Sequence, residues 1–240
     1  MKLVMFDMDG TLTFTDGFAV AENCYVLAIR QTLGLTRVAT EWETYTHASS
    51  SYCLEAIVRA ARGTPPTAAE SAAVQSRLVE LMEEDAGRGL KTTQIAGSAA
   101  ALAGLRAAGY AIAIATGDWK LSAAHKLTAA GIPFETIPAA FCDDSHVRTE
   151  IMQTSLARAQ RHYGCDRFER VVYVGDGAWD VKACRELRWP LVGIGEGVPA
   201  RRLRALGATQ VIPHYEPLAT FLAAIERATA PTAAAGAAGA

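Results

Sequence analysis

The stretch LVMFDMDGTLTF, residues 3–14, decides the fold. Leu3 to Phe6 form an unbroken apolar run that ends on Asp7, Met8, Asp9, Gly10 and Thr11. So short a run without polar alternation reads as a strand buried on both faces, the kind found in parallel sheets covered by helices. In a regular strand, carboxylates two positions apart point to the same side. At the strand's end such a pair can flank one ligand. Alone, Asp-x-Asp-Gly is equally the composition of a turn, because aspartate and glycine both favour one. The rest of the chain decides between the two.

Working outward, short apolar runs alternate with helical patterns. Strands are expected at 2–7, 110–116, 138–142, 170–175, 191–195 and 209–212. Helices are expected at 97–108, 119–130, 148–163, 178–188, 199–206 and 216–228. Gly109, Gly131, Gly164 and Gly207 fall just past helix ends, the usual place of a left-handed cap. This alternation defines an α/β fold, a Rossmann-like parallel sheet with helices on both faces. Residues 14–90 break the rhythm. They read as helices near 17–34, 49–62 and 67–86, with Val20, Cys24 and Leu27, then Val74, Leu78, Leu81 and Met82, recurring at helical spacing. The expected organisation is a catalytic core of 1–13 and 91–228 and a small all-helical cap, 14–90, inserted after strand 1. Residues 229–240, ending in the low-complexity PTAAAGAAGA, are expected to lack fixed structure.

Composition narrows the function. The chain has 240 residues, 50% of them apolar, enough for one large core with a smaller companion. A formal net charge of −2 and the absence of a basic stripe or arm argue against nucleic-acid and membrane partners. No apolar run is long enough to span a bilayer, and a strand starting at Lys2 leaves no room for a secretory signal. The five cysteines are scattered and form no Cys-x-x-Cys pair, as in a reducing compartment. The expected location is the cytoplasm; oligomeric state is left open.

Three polar clusters then fall where strands end. They are Asp7 and Asp9 after the first strand, Thr116 in AIATGDW, and Asp176 and Asp180 in VYVGDGAWD. Open parallel sheets bind ligands beyond the carboxyl ends of their strands, so the clusters can converge. Carboxylates brought together repel unless a cation is present. Hard oxygen ligands suit Mg²⁺, which keeps waters and binds phosphate oxygens. A carboxylate can also attack phosphorus and form an aspartyl-phosphate. Gly10 and Gly117 would let backbone approach a phosphoryl group closely.

With those motifs in place the chain resembles the haloacid dehalogenase-like hydrolase superfamily over residues 1 to about 225. Asp7-Met8-Asp9-Gly10-Thr11 matches the first motif, Thr116 the second, and Gly175-Asp176-Gly177-Ala178-Trp179-Asp180 the fourth. The helical insert resembles the cap of the subgroup containing phosphoglycolate phosphatase and β-phosphoglucomutase. The resemblance implies Asp7 as nucleophile and metal ligand. It implies Asp9 as general acid/base, with its carbonyl on the metal. Asp176 would be a direct Mg²⁺ ligand, and Asp180 would hold a metal-bound water or orient its neighbours. Thr116 and the Gly117 amide would bind the phosphoryl group.

The third motif usually offers a lysine, and none lies between Lys126 and Lys182. Arg148, in DDSHVRTE, is assigned that role, since arginine can neutralise a carboxylate and bind phosphate; Lys120 competes with it. Thr13-Phe14-Thr15 departs from the acidic residue and serine that many relatives carry, which leaves the substrate subfamily open. Asp143 and Asp144 read as loop or helix-entry residues, and Trp179 as packing. EWETYTHASSSY, 41–52, is either a substrate loop that brings Tyr45 or His47 to the leaving group, or a polar helix connection.

The expected activity is Mg²⁺-dependent hydrolysis of a small phosphorylated metabolite through an aspartyl-phosphate. The enzymatic alternative is a phosphomutase of the β-phosphoglucomutase kind. A dehalogenase would leave Asp9 surplus, and a phosphonatase needs a cap lysine that 14–90 lacks. Non-enzymatic alternatives are a pseudoenzyme and a phospho-accepting signalling domain. The latter is shorter, has no insert and carries its aspartate on a later strand.

Overall fold

The computed structural model describes residues 1–17 and 23–232. Six parallel strands form the sheet: β1 (Lys2–Phe6), β4 (Ala111–Ala115), β5 (Ala139–Ala140), β6 (Arg170–Gly175), β7 (Leu191–Ile194) and β8 (Gln210–Ile212). Their order across the sheet is β5-β4-β1-β6-β7-β8. β1 is central, with Leu3 to Phe6 opposite Ala111 to Ile114 on one side and Val171 to Val174 on the other.

Alternation along β1 supplies two cores. Leu3 and Met5 pack on one face with Ile151 and Met152 of α6 (Arg148–Tyr163), Val181 of α7 (Ala178–Leu187) and Leu203 of α8 (Gly197–Ala205). Val4 and Phe6 pack on the other with Leu102 and Leu105 of α4 (Ser98–Ala107), Leu127 of α5 (Lys120–Ala129) and Phe221 and Ile225 of α9 (Leu218–Arg227). Leu3 to Phe6 are all fully buried, which accounts for the missing polar alternation. The sheet and its two helical layers thus follow the expected α/β design. β5 spans only two of the five residues expected. Gly109, Gly131, Gly164 and Gly207 all take positive φ.

Between β1 and β4 the chain makes α1 (Cys24–Leu33), a 3-10 turn (Trp42–Thr44), α2 (Ser50–Arg62) and α3 (Ala68–Gly87). Asn23 caps α1 by accepting the Val26 N–H at 3.1 Å. Thr67 and Glu70 close a reciprocal capping box on α3, satisfying amides that the helix start leaves open. Val26 and Ile29 of α1 and Val74, Leu78 and Leu81 of α3 are buried where these helices meet. The expected helix start before Cys24, with Val20, falls on residues 18–22, outside the described residues.

Two short strands were not expected. β2 (Thr13–Thr15) and β3 (Thr92–Gln94) pair antiparallel, with Thr13 opposite Gln94 and Thr15 opposite Thr92. They join the way into the helical segment to the way out of it. Three polar residues carry no readable period, so only their pairing makes them strands. The ribbon ties together the two ends of the segment that we propose as a cap, residues 14–90.

Of the segment 229–240, the first residues are bound to the core. The Leu191 N–H donates to the Thr229 carbonyl at 3.1 Å, and Arg185 donates to the Thr232 carbonyl at 3.2 Å. Residues 233–240 lie outside the described residues. Among the described residues no helix is long and apolar enough to cross a membrane.

Candidate active site

Strand order brings the sequence clusters together. Asp7 follows β1, Thr116 follows β4 and Asp176 follows β6, and these three strands are neighbours. The Asp7 N–H continues the ladder onto the Val174 carbonyl at 2.9 Å. Beyond it the chain turns, and the Met8 carbonyl accepts the amides of Thr11, Leu12 and Thr13. The strand alternation therefore does not carry through to Asp9, because the turn re-aims it. Gly10 allows that turn with φ +71°, and a Cβ there would stand 2.0 Å from Asp176 Oδ2.

Asp7, Asp176 and Asp180 each offer an oxygen within 4.8 Å of the others. Asp180 is fully buried, with Oδ2 accepting the Gly177 N–H at 2.9 Å. Arg148, the first residue of α6, reaches between two of these carboxylates. Its Nη2 donates to Asp7 Oδ2 at 2.5 Å, and its Nε donates to Asp180 Oδ1 at 2.9 Å. Its guanidinium carbon lies 6.0 Å from the Trp179 ring, so Trp179 packs beside the site. Lys120 is not there: its side chain is exposed, and its backbone N–H donates to Asp143 Oδ2 at 2.6 Å. Asp144 takes two bonds from Arg158, each at 2.7 Å, so the 143–144 pair is structural.

Among the described residues, Arg148 is the cation bonded to this cluster of three acids, and one buried carboxylate oxygen of the cluster has no donor. Asp176 Oδ1 is buried without a hydrogen-bond partner. Burial, then Asp180 and Asp7, push the Asp176 carboxyl well above the ordinary carboxylate range. Burial also pushes Asp7 up to about 7, against the lowering effect of Arg148. Hard oxygen donors, a surplus of negative charge and an orphaned oxygen are what a divalent cation such as Mg²⁺ satisfies. Asp7 and Asp176 could hold it, with Asp180 beside them.

Those raised values set a pH dependence. Between its ordinary value of 3.8 and about 7, the native Asp7 carboxyl binds more protons than the unfolded one. Its stabilising contribution is therefore present at low pH and lost as pH rises through that window. Asp9, raised to about 6, acts in the same direction. Melting temperature in EDTA is expected to fall between about pH 5.5 and about pH 7.5, less steeply in Asp7→Asn. A melting temperature that rises across this interval, or an unchanged slope in the variant, contradicts the account.

Thr116 is buried, and its Oγ1 accepts the Asp118 N–H at 3.2 Å. A Cβ on Gly117 would meet the Ala48 carbonyl oxygen at 2.7 Å and Arg148 Nη1 at 2.9 Å. The segment leading into α2 is thus seated on Gly117. Its serines make the contact. The Ser50 N–H donates to the Gly117 carbonyl at 2.8 Å, Ser49 Oγ to the His146 carbonyl at 2.9 Å and Ser51 Oγ to the Cys142 carbonyl at 3.1 Å. Tyr45 bonds within its own segment, donating to the Ala39 carbonyl at 3.1 Å. His47 stands edge-on to Tyr52 at 5.0 Å. Neither makes a hydrogen bond to the acidic cluster.

Sequence reasoning missed Lys126 and Asp118. Lys126 Nζ lies 2.5 Å from Asp9 Oδ2 and 2.8 Å from Asp118 Oδ2. The signal was present: Lys126 shares the buried stripe of α5 with Ala123 and Leu127, where a lysine needs a reason.

A buried carboxylate after the first strand, a threonine after its neighbour and two further carboxylates after the third thus form one site at the carboxyl ends of an α/β sheet. The haloacid dehalogenase-like hydrolase family matches residues 1–188, and the chain belongs to that family. No curated protein matches this sequence. Among solved structures, CbbY from Rhodobacter sphaeroides in complex with phosphate is similar at 20% identity and TM-score 0.68, covering 93% of this chain and 98% of that one. A mutant of CbbY in complex with xylulose-(1,5)bisphosphate matches at 20% and 0.66, covering 90% and 95%. A predicted phosphoglycolate phosphatase from Haemophilus somnus matches at 17% and 0.55, covering 92% and 98%. At these identities the likeness is one of fold.

Proposed function

We propose that the protein is a Mg²⁺-dependent phosphatase acting on a small phosphorylated metabolite through an aspartyl-phosphate. The observation that carries this is the Asp7 carboxylate, held by Arg148 beside an Asp176 oxygen that has no donor. Asp7 attacks phosphorus and displaces the ester oxygen. Asp9 gives that oxygen its proton and then takes one from the water that attacks the aspartyl-phosphate. Thr116 and the Gly117 backbone bind the phosphoryl oxygens, and Arg148 places a fixed charge beside them. Asp7, the Asp9 carbonyl and Asp176, with Asp180 in support, would hold Mg²⁺, whose charge would offset that of the carboxylates and the phosphoryl group.

The serine-bound segment over Gly117 limits bulk water and large phosphoproteins, which favours small substrates. The phosphate and sugar bisphosphate in complexes of CbbY agree with that class.

The test is phosphate release from p-nitrophenyl phosphate and a panel of small phosphate esters, with Mg²⁺ and with EDTA. Release that requires Mg²⁺ is expected, and the panel ranks the substrates. Release unaffected by EDTA contradicts the metal. No release from any ester contradicts hydrolysis, and isomerisation of a sugar phosphate would then identify a mutase.

A further inference from the structure

We propose that Lys126 is a positioning residue that aims the Asp9 carboxylate, and that Asp118 holds Lys126 in place for this task. The proposal rests on the reading of Asp9 as the acid/base.

Asp9 stands in a turn, not in the sheet. Its neighbour Gly10 gives it no side-chain support, and its own side chain has rotatable bonds to spend. Thr13 Oγ1 touches Asp9 Oδ1 only at 3.4 Å. The short contact is with Lys126 Nζ, at 2.5 Å on Oδ2. General acid catalysis depends on bringing the proton within hydrogen-bond reach of the leaving oxygen, so the aim of this carboxylate matters.

Lys126 cannot wander from that position at low cost. It is 5% exposed, and Asp118, its second partner, is 6% exposed. An ammonium buried away from both carboxylates would be uncompensated. Asp118 is itself fixed. Its Oδ1 accepts the Trp119 N–H at 2.9 Å, Ser122 Oγ at 2.7 Å and Ser50 Oγ at 3.3 Å. Its Oδ2 takes Lys126 at 2.8 Å. A rigid chain therefore runs from the start of α2 through Asp118 and Lys126 to Asp9. The two carboxylates of the opening motif are thus held by cations from opposite faces of the sheet, Arg148 from α6 and Lys126 from α5. Lys126 touches Asp9, and the proposal has it act on the reaction only through Asp9.

The experiment compares kcat/KM for phenyl phosphate, whose leaving oxygen needs a proton, with p-nitrophenyl phosphate, whose leaving oxygen does not. This parameter ends at leaving-group release, so it reports the acid step. Wild type, Asp9→Asn and Lys126→Met are measured with Mg²⁺. Lys126→Met is expected to lose about 10²-fold on phenyl phosphate and less than about 5-fold on p-nitrophenyl phosphate, with Asp9→Asn showing the same imbalance more strongly. Equal losses on both esters in Lys126→Met, or none, while Asp9→Asn stays selective, overturn the positioning role alone. An unselective Asp9→Asn overturns the acid/base reading and this proposal with it. Should Lys126→Met not fold, Asp118→Asn, which keeps the lysine and loosens its hold, is read by the same ratio.

Discussion

Asp7→Asn is expected to lower phosphate release by a factor of at least about 10⁴, as removal of a nucleophile does, while the protein stays folded. Asparagine fills the same volume and can still accept from Arg148 Nη2, which donates to Asp7 Oδ2 at 2.5 Å. It has no charge to attack with. The variant also removes one of three crowded carboxylates. Burial holds the Asp7 carboxyl up near 7, so ionising it costs more in the fold than in the unfolded chain. Near pH 8 in EDTA, the melting temperature of Asp7→Asn should therefore equal or exceed that of the wild type. The two readouts separate a catalytic loss from an unfolding loss. Activity within tenfold of wild type would remove Asp7 from the nucleophile's role. A large drop in melting temperature would show that its charge supports the fold instead.

The second large effect is on Arg148. Arg148→Leu is expected to cost about 3–5 kcal/mol in urea unfolding with EDTA present, and to abolish phosphate release. Arg148 and Asp180 are almost wholly buried, and the guanidinium is the cation that bonds both Asp7 and Asp180. Leucine would leave those carboxylates without a counter-charge in the place where water is excluded. Arg148→Lys keeps the charge but replaces a planar fork by a single ammonium, which cannot keep the arginine's spread of donors. Its loss of stability should lie between those of the wild type and leucine. A cost below about 1 kcal/mol for leucine would mean that the cluster is neutralised by proton uptake and needs no cation.

These effects meet at one place because of the order of three strands. The apolar run of β1 requires burial on both faces, and its neighbours β4 and β6 carry Thr116 and Asp176 to the same edge. The motif spacing allowed this arrangement without requiring it. The helical segment differs in this respect. Its helices were readable from spacing, but what it does was not. Tyr45 and His47 stand out as aromatic and titratable groups, yet it is Ser49, Ser50 and Ser51 that hydrogen-bond to the core, while Tyr25 stacks on Trp119. Serine is common on any surface, so its role appears only when a carbonyl stands opposite.

The sequence by itself determined the α/β class, the central buried strand, the helical insertion and the family, since apolar period and motif order are local properties. It also singled out Arg148 as a cation for the acidic cluster. Tertiary structure alone decided that Lys120 faces solvent while Lys126, six residues on, reaches Asp9 and Asp118. It also decided that two tripeptides 75 or more residues apart pair as β2 and β3. Charge pairing in a buried site and pairing between distant strands depend on which groups the packed helices bring within a few ångströms, and no local pattern encodes that distance.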